Sequence, residues 1–147
     1  MTTSPTEGAG TGPVGAEPVD GARSSPAGRA MIFGTGLIGG SMGLALRRRG
    51  WHVSGVDTAD GVAARAAELG ALSAEGVDTR ADLVVVATPV HVAAGVISDV
   101  LSSTEWNPRA VITDVGSVKG PLVASIDHPR FIGGHPMAGS EIGRAHV

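Results

Sequence analysis

The feature that most constrains this chain is a glycine-rich turn between an apolar strand pattern and a helical pattern. Residues 30–33 form a short apolar run that predicts a buried strand, and a helical pattern occupies residues 37–49. The spacing G-x-G-x-x-G is met across this junction by Gly34, Gly36 and Gly39. A strand, a tight turn and a helix in this order are the context that a dinucleotide-binding turn requires.

The chemistry of such a turn explains its glycines. Gly34 allows a sharp turn, Gly36 lets the backbone approach a pyrophosphate, and Gly39 lets the helix pack closely on the strand. The helix N-terminus adds unpaired N–H groups and the positive end of a dipole, which favour an anion. The residues predicted to contact the cofactor here are Gly34, Thr35, Gly36, Leu37, Ile38 and Gly39.

An acidic residue ends the next strand pattern, residues 52–56. Asp57 follows it, close to the spacing of about 20 residues at which an acid binds the ribose hydroxyls of the cofactor. A carboxylate there would repel a 2′-phosphate, so NAD is favoured over NADP. The alternative is an ordinary aspartate in a turn. A P-loop is excluded because no lysine follows Gly39 and Gly40.

Strand and helix patterns alternate through the rest of the chain. Helices are predicted over residues 60–69, from Pro89 onwards and from residues 116–117, and strands over residues 83–87, 110–113 and 130–133, with a further short strand possible within 71–80. Helical periodicity places Ile38, Met42 and Ala45 on the buried face of the first helix, and Val62, Ala66 and Leu69 on that of the second. This alternation predicts an α/β fold with a doubly wound parallel sheet, the Rossmann NAD-binding fold.

Polar or unusual residues follow several of these strands. They are the glycine turn, the segment from Thr88 to Val90, the segment from Asp114 to Lys119, and the segment from His135 to Glu141. Ligands of a doubly wound sheet bind outside the carboxyl ends of its strands, so these residues should converge on one site. We expect Thr88, Pro89 and Asp114 to contact the cofactor.

Composition narrows the class of protein further. The chain has 147 residues, a net charge of −3, no cysteine and 3% aromatic residues. A surface for nucleic acid, a disulfide and a thiolate metal site are therefore not expected, and no metal-ligand cluster is visible. No apolar run approaches the roughly 20 residues of a membrane span, and no secretory signal is recognisable, which predicts a cytoplasmic protein.

The two ends of the chain differ from its middle. Residues 1–28 are rich in Gly, Ala, Pro, Ser and Thr without periodicity, and they predict a disordered tail. Residues 29–141 carry the predicted domain. Residues 142–147 match the translation of a common sequencing adapter and are interpreted as a non-native extension.

Four motifs together resemble the prephenate dehydrogenases and the related arogenate dehydrogenases. They are Gly-Leu-Ile-Gly-Gly-Ser (36–41), Ala-Thr-Pro-Val (87–90), Thr-Asp-Val-Gly-Ser-Val-Lys (113–119) and Gly-Gly-His-Pro-Met-Ala-Gly-Ser-Glu (133–141). The resemblance implies NAD-dependent oxidative decarboxylation of prephenate to 4-hydroxyphenylpyruvate in tyrosine biosynthesis. It also implies a helical domain after this one, which forms a homodimer and completes the substrate site. That domain is absent from this chain, so the isolated chain should be weakly active or inactive.

The same resemblance assigns catalytic roles. His135 is implied as the base that takes the substrate hydroxyl proton, Ser117 as the residue that orients its ring, and Glu141 as a gate to the substrate site. Histidine suits this task because it ordinarily titrates near neutral pH. Lys119 either attracts an anionic substrate or is simply solvated. The remaining histidines are expected at the surface: His52, His91, His128 and His146.

Two other functions are compatible with a glycine turn of this kind. One is a methyltransferase that binds S-adenosylmethionine, which the helix-opening glycine pattern and the His135 loop disfavour. The other is a non-catalytic NAD-binding module. The choice between prephenate and arogenate as substrate stays open at this point.

Overall fold

The structure, a computed structural model, describes residues 25–117 and 120–136. Its strands are β1 Arg29–Phe33, β2 His52–Val56, β3 Ala74–Glu75, β4 Leu83–Val86, β5 Val111–Asp114 and β6 Phe131–Gly133. Its helices are α1 Leu37–Arg48, α2 Val62–Glu68, α3 Val90–Ser102 and α4 Gly120–Ser125. None of these helices has the length and apolarity needed to cross a membrane. Most of the predicted tail and the whole predicted C-terminal extension lie outside the described residues.

The strands form one parallel sheet in the order β3-β2-β1-β4-β5-β6. The chain moves outward from β1 to β3 and then returns to the other side of β1 to form β4. The strand order therefore reverses between β1 and β4, which is where ligands bind in open sheets of this kind. The predicted doubly wound α/β fold is confirmed.

Helices cover both faces of the sheet, because successive residues of a strand point to opposite sides. Met31 of β1 belongs to one apolar cluster with Ile97 of α3 and Leu122 of α4. Its neighbour Ile32 belongs to a second cluster with Ala66 of α2. The central strands are therefore buried on both faces, as their continuous apolar runs indicate.

Helix α1 makes its closest contacts through glycines, while Met42, Leu44 and Leu46 pack against the neighbouring apolar cluster. Gly39 and Gly43 are its buried residues, and a Cβ at Gly43 would lie 2.5 Å from the carbonyl oxygen of Ala71. The prediction that Ile38 faces the core is wrong, since 49% of this residue is exposed. Met42 does pack against the core as predicted, but apolar periodicity missed Gly39 and Gly43, because glycine contributes no apolar side chain to the pattern yet allows the closest contact.

Three details at helix ends also differ from the predictions. Leu69 is 58% exposed rather than inward, because α2 has already ended at Glu68. Pro89 precedes α3 with an extended backbone instead of occupying its first position. The helix predicted from residues 116–117 begins at Gly120, and the N–H of Gly116 is held by the side chain of Asp114.

An ion pair joins the β3–β4 connection to the amino end of β1. The Arg29 guanidinium lies 2.6 Å from Oδ2 of Asp78, whose side chain is 7% exposed. Burial raises the pKa of the Asp78 carboxyl, but hydrogen bonds from the Arg29 side chain and the Arg80 N–H outweigh it, so this pKa lies below its ordinary value. The charged carboxylate therefore anchors a connection that contains no helix among its described residues.

Replacing Gly43 with alanine should lower the free energy of unfolding by about 1–3 kcal/mol, because the new methyl group overlaps the Ala71 carbonyl. Gly95 in α3 provides a matched control, since a Cβ there meets no atom within 4 Å. Gly95→Ala should raise the free energy of unfolding by up to about 1 kcal/mol. Urea unfolding followed by circular dichroism measures both, and equal stabilisation by the two variants would contradict the close contact of α1.

Candidate functional site

The turn after β1 requires glycine at its first position. Gly34 has a φ of +86°, and a Cβ there would lie 2.6 Å from the carbonyl oxygen of Ala87, after β4. Its N–H donates to the Val56 carbonyl at 2.9 Å. The turn therefore packs between the carboxyl ends of β2 and β4, the two strands that flank β1. A Cβ at Gly36 would meet no atom within 4 Å, which leaves the backbone there open to a ligand.

Helix α1 begins directly after this turn without a side-chain cap. Its N-cap residue is Gly36, and the first turn closes with the Gly40 N–H donating to the Gly36 carbonyl at 2.7 Å. The N–H groups earlier in the turn have no intrahelical acceptor, and they lie at the positive end of the helix dipole. This arrangement suits an anion such as a pyrophosphate. Leu37 and Ile38, both predicted cofactor contacts, occupy this turn.

Asp57 lies directly after β2 and is tied to the glycine turn. Its Oδ2 accepts a hydrogen bond from the Thr35 N–H at 2.8 Å, and its Oδ1 accepts one from the Ala59 N–H at 3.0 Å. The side chain is half-buried, so one side of the carboxylate faces solvent. Each oxygen keeps a lone pair with which it can accept a further hydrogen bond.

Two buried hydroxyl groups in the site have no hydrogen-bond partner among the described residues. They are Oγ1 of Thr35, in the glycine turn, and Oγ1 of Thr88, after β4. Thr35 is only 3% exposed, so its hydroxyl is withdrawn from bulk water. Buried hydroxyls without partners are uncommon and often mark a functional site. Both threonines were predicted from the sequence as cofactor contacts.

A cavity of about 530 Å³ lies at the carboxyl edge of the sheet. It brings together Ile38 of α1, Thr88 and Pro89 after β4, Ser117 after β5, and His135 after β6. Ser117 and His135 are both exposed, and no hydrogen bond joins their side chains in the structure. Val90 and Val115 contribute an apolar wall to this cavity, and both lie within the strand-end segments that the sequence predicted to converge.

The remaining predicted site residues fall into two groups. Asp114 is 1% exposed, and its carboxylate accepts hydrogen bonds from the N–H groups of Gly116 and Gly134. It is absent from the residues that line the cavity beside it. Glu141 and Lys119 lie outside the described residues. Within the part of the chain that the structure describes, no cluster of three or more His, Asp or Glu side chains is placed to hold a metal ion.

A second cavity, of about 590 Å³, lies between α1 and α2. It shares Gly36 and Leu37 with the glycine turn, and its walls are otherwise mostly apolar, with Leu44 and Leu69 among them. Ser117 and His135 do not line it. Both residues line the smaller cavity instead, together with Thr88.

Comparison with protein families gives one match along most of the described domain. A family model described as prephenate dehydrogenase, nucleotide-binding domain, matches residues 42–145. This range begins just after the glycine turn, so the match does not depend on the glycine spacing. The matched range includes Thr88, Asp114, Ser117 and His135.

Curated relatives match a similar part of the chain. The prephenate dehydrogenase of Bacillus subtilis (strain 168) is 36% identical over 127 residues, which cover 75% of this chain and 33% of that protein. A probable prephenate dehydrogenase of Streptomyces niveus is 40% identical over 117 residues, covering 75% of this chain and 31% of that protein. The chain thus spans about one third of the length of these relatives.

Solved structures with the same fold include enzymes of two related activities. The prephenate dehydrogenase of Aquifex aeolicus, in complex with hydroxyphenyl propionate and NAD+, is 32% identical with a TM-score of 0.67, over 80% of this chain and 44% of that chain. The arogenate dehydrogenase of Synechocystis is 30% identical with a TM-score of 0.64, over 76% of this chain and 41% of that chain.

Proposed function

The chain belongs to the prephenate dehydrogenase family, and on that premise we propose that it is the NAD-binding domain of an enzyme that oxidatively decarboxylates prephenate to 4-hydroxyphenylpyruvate. One observation carries the proposal. Residues from separate strand ends, including Ile38, Thr88, Ser117 and His135, line a single cavity beside the glycine turn. A cofactor held by the turn and a base able to accept a proton would therefore meet in one place.

The residues of the glycine turn fit a dinucleotide. The uncapped N-terminus of α1 and the open backbone at Gly36 would hold the pyrophosphate. Asp57, already positioned by two backbone N–H groups, would accept hydrogen bonds from the ribose hydroxyls. The unpartnered hydroxyls of Thr35 and Thr88 are further polar groups for the ligand. Bound NAD+ would supply the hydride acceptor.

The reaction needs a group that holds the substrate hydroxyl while its carbon loses hydride. His135 would accept the hydroxyl proton through a neutral ring nitrogen, which makes the carbon a better hydride donor. The ring carboxylate then leaves as carbon dioxide, and its bonding electrons complete the aromatic ring. Because the oxygen remains on the product as a phenol, His135 returns the proton, and no net proton is consumed.

Ser117 would orient the His135 ring or bind the same hydroxyl. Both residues line the cavity from the exposed ends of neighbouring strands, β5 and β6. Catalytic hydrogen bonds are often long without substrate and tighten in the complex, so the lack of a hydrogen bond between these two described side chains is compatible with this role. Glu141 would act as a gate beyond the described residues.

Arogenate is the second candidate substrate, because a Synechocystis arogenate dehydrogenase matches this chain about as well as the prephenate enzymes. The two substrates differ in the side chain of the ring rather than at the reacting carbon, so the same roles for Ser117 and His135 serve both. A methyltransferase does not agree with membership of this family. A non-catalytic NAD-binding module is an outcome that the kinetic experiment below would reveal.

The chain should bind NAD more tightly than NADP, because the Asp57 carboxylate would face the 2′-phosphate. Replacing Asp57 with asparagine removes the charge and one of two oxygens that hold the turn, so NAD affinity should fall roughly ten- to a hundredfold, equivalent to about 1–3 kcal/mol. The preference over NADP should shrink as well. Isothermal titration of both cofactors measures these differences.

Asp99→Asn is the matched control, since this exposed aspartate lies in α3 and lines neither cavity. It should leave the ratio of the two affinities unchanged. Equal affinity of the parent chain for NAD and NADP would overturn the role given to Asp57.

In the intact protein, His135→Asn should lower kcat by about 10²–10⁴-fold, the usual loss when a general base is removed. Cofactor affinity should hold, because the glycine turn lies on a different loop. Ser117→Ala should have a smaller effect, worth about 0.5–1.5 kcal/mol, since it removes one hydrogen bond. Activity of the parent should fall in acid, because a protonated imidazole cannot accept the hydroxyl proton.

The measurement is turnover of prephenate and of arogenate at saturating NAD, with a pH profile for the parent. His52→Asn serves as control, because His52 starts β2 at the opposite edge of the sheet. Near-parent turnover in the His135→Asn variant would make His135 a structural residue. No turnover of either substrate by the parent would favour the non-catalytic module.

A further inference from the structure

Asp114 is a buried carboxylate that connects two loops of the site. It is the last residue of β5 and is 1% exposed. Its Oδ2 accepts a hydrogen bond from the Gly116 N–H at 2.9 Å, and its Oδ1 accepts one from the Gly134 N–H at 3.3 Å. Each donor immediately precedes a proposed catalytic residue, since Ser117 follows Gly116 and His135 follows Gly134.

These contacts begin where the sheet stops holding the chain. In the β5–β6 ladder the last pair is Asp114 with Gly133, so Gly134 is the first residue beyond the strand pairing. Beyond this pair, the side chain of Asp114 connects the loop after β5 to the loop after β6 through its hydrogen bonds with Gly116 and Gly134. A Cβ at Gly134 would lie 2.6 Å from the Asp114 carbonyl oxygen and 2.7 Å from Oγ1 of Thr113, so the loop closes against β5.

A carboxylate is suited to this place because both of its oxygens accept hydrogen bonds. Hydrogen bonds to an ionised acceptor are roughly twice as strong as neutral ones. Asparagine has nearly the same shape but offers one accepting oxygen and an NH2 group that would face a second N–H donor. Replacing Asp114 with asparagine therefore removes the two-sided hydrogen bonding while it keeps the volume of the side chain.

We infer that Asp114 is a positioning residue that sets the distance between the Ser117 and His135 loops, rather than a cofactor ligand. The inference rests on the proposed function, because only a reaction that uses both residues makes their spacing matter. It replaces the expectation that Asp114 contacts the cofactor. The burial of its carboxylate and the two backbone donors give the acid at the end of β5 a structural role in the chain itself.

The first experiment compares Asp114→Asn with the parent in the intact protein. We expect kcat at saturating NAD to fall roughly tenfold to a hundredfold, the cost of a displacement of about 1 Å at a reacting group. The dissociation constant for NAD should change by less than about threefold. Asp99→Asn, an exposed aspartate in α3, is the matched control and should change neither quantity. A large loss of NAD affinity with unchanged kcat would show instead that Asp114 serves the cofactor.

The double variant Asp114→Asn with His135→Asn tests whether Asp114 acts through His135. If it does, the double variant should turn over at nearly the rate of His135→Asn alone, since a base that is gone cannot be misplaced. Multiplication of the two losses would overturn the inference, because it would indicate two independent effects. Gly134→Ala keeps the carboxylate but pushes the loop away from β5, and it should reproduce the kcat loss if Asp114→Asn does not fold.

Hydrogen exchange keeps this test separate from the proposed chemistry. In Asp114→Asn, peptides that contain the amides of Gly116 and Gly134 should exchange faster, while those of β1 and α1 should not change. This result is expected even if His135→Asn proves fully active. Full activity of that variant would contradict the catalytic role of His135, but not the connection of the two loops by Asp114. Unchanged exchange at both glycines would overturn that connection itself.

Discussion

The close contact of α1 with the sheet is the constraint on which the rest of the site depends. Gly39 and Gly43 are the buried residues of α1, and a Cβ on either would overlap a backbone carbonyl, of Gly34 or of Ala71. This contact aims the uncapped end of α1 at the carboxyl edge, beside the reversal of strand order between β1 and β4. As a result, the apolar residues Leu37 and Ile38 of α1 are exposed at that edge. Leu37 lines the larger cavity, and Ile38 lines the smaller one.

Two aspartates organise the two halves of this edge by the same physical means. Asp57 joins the ends of β1 and β2 by accepting hydrogen bonds from Thr35 and Ala59. Asp114 joins the ends of β5 and β6 by accepting them from backbone N–H groups of the loops that follow. In both cases backbone N–H groups donate to the carboxylate. The difference is burial, since Asp57 keeps a face toward solvent and Asp114 does not.

At the amino ends of the strands, a buried carboxylate is paired with a charged side chain instead. There the Arg29 guanidinium pairs with the nearly buried Asp78 and ties the β3–β4 connection to β1. This pair is remote from the strand ends that carry the glycine turn, Ser117 and His135, and its role is to hold the fold. Charged groups therefore serve stability at one edge and, in our proposal, ligand binding and positioning at the other.

The sequence by itself determined the order of strands and helices, the glycine turn and the family motifs, because these depend on local periodicity and on residues close together in the chain. It also identified His135 and Ser117, but only tertiary structure placed them in one cavity with Thr88 and Ile38. Two features were decided by packing alone: the glycine contacts of α1 and the inward orientation of Asp114. Each depends on a neighbour distant in sequence, such as Ala71 beneath Gly43 or Gly134 beside Asp114, and periodicity within one segment carries no information about such a neighbour.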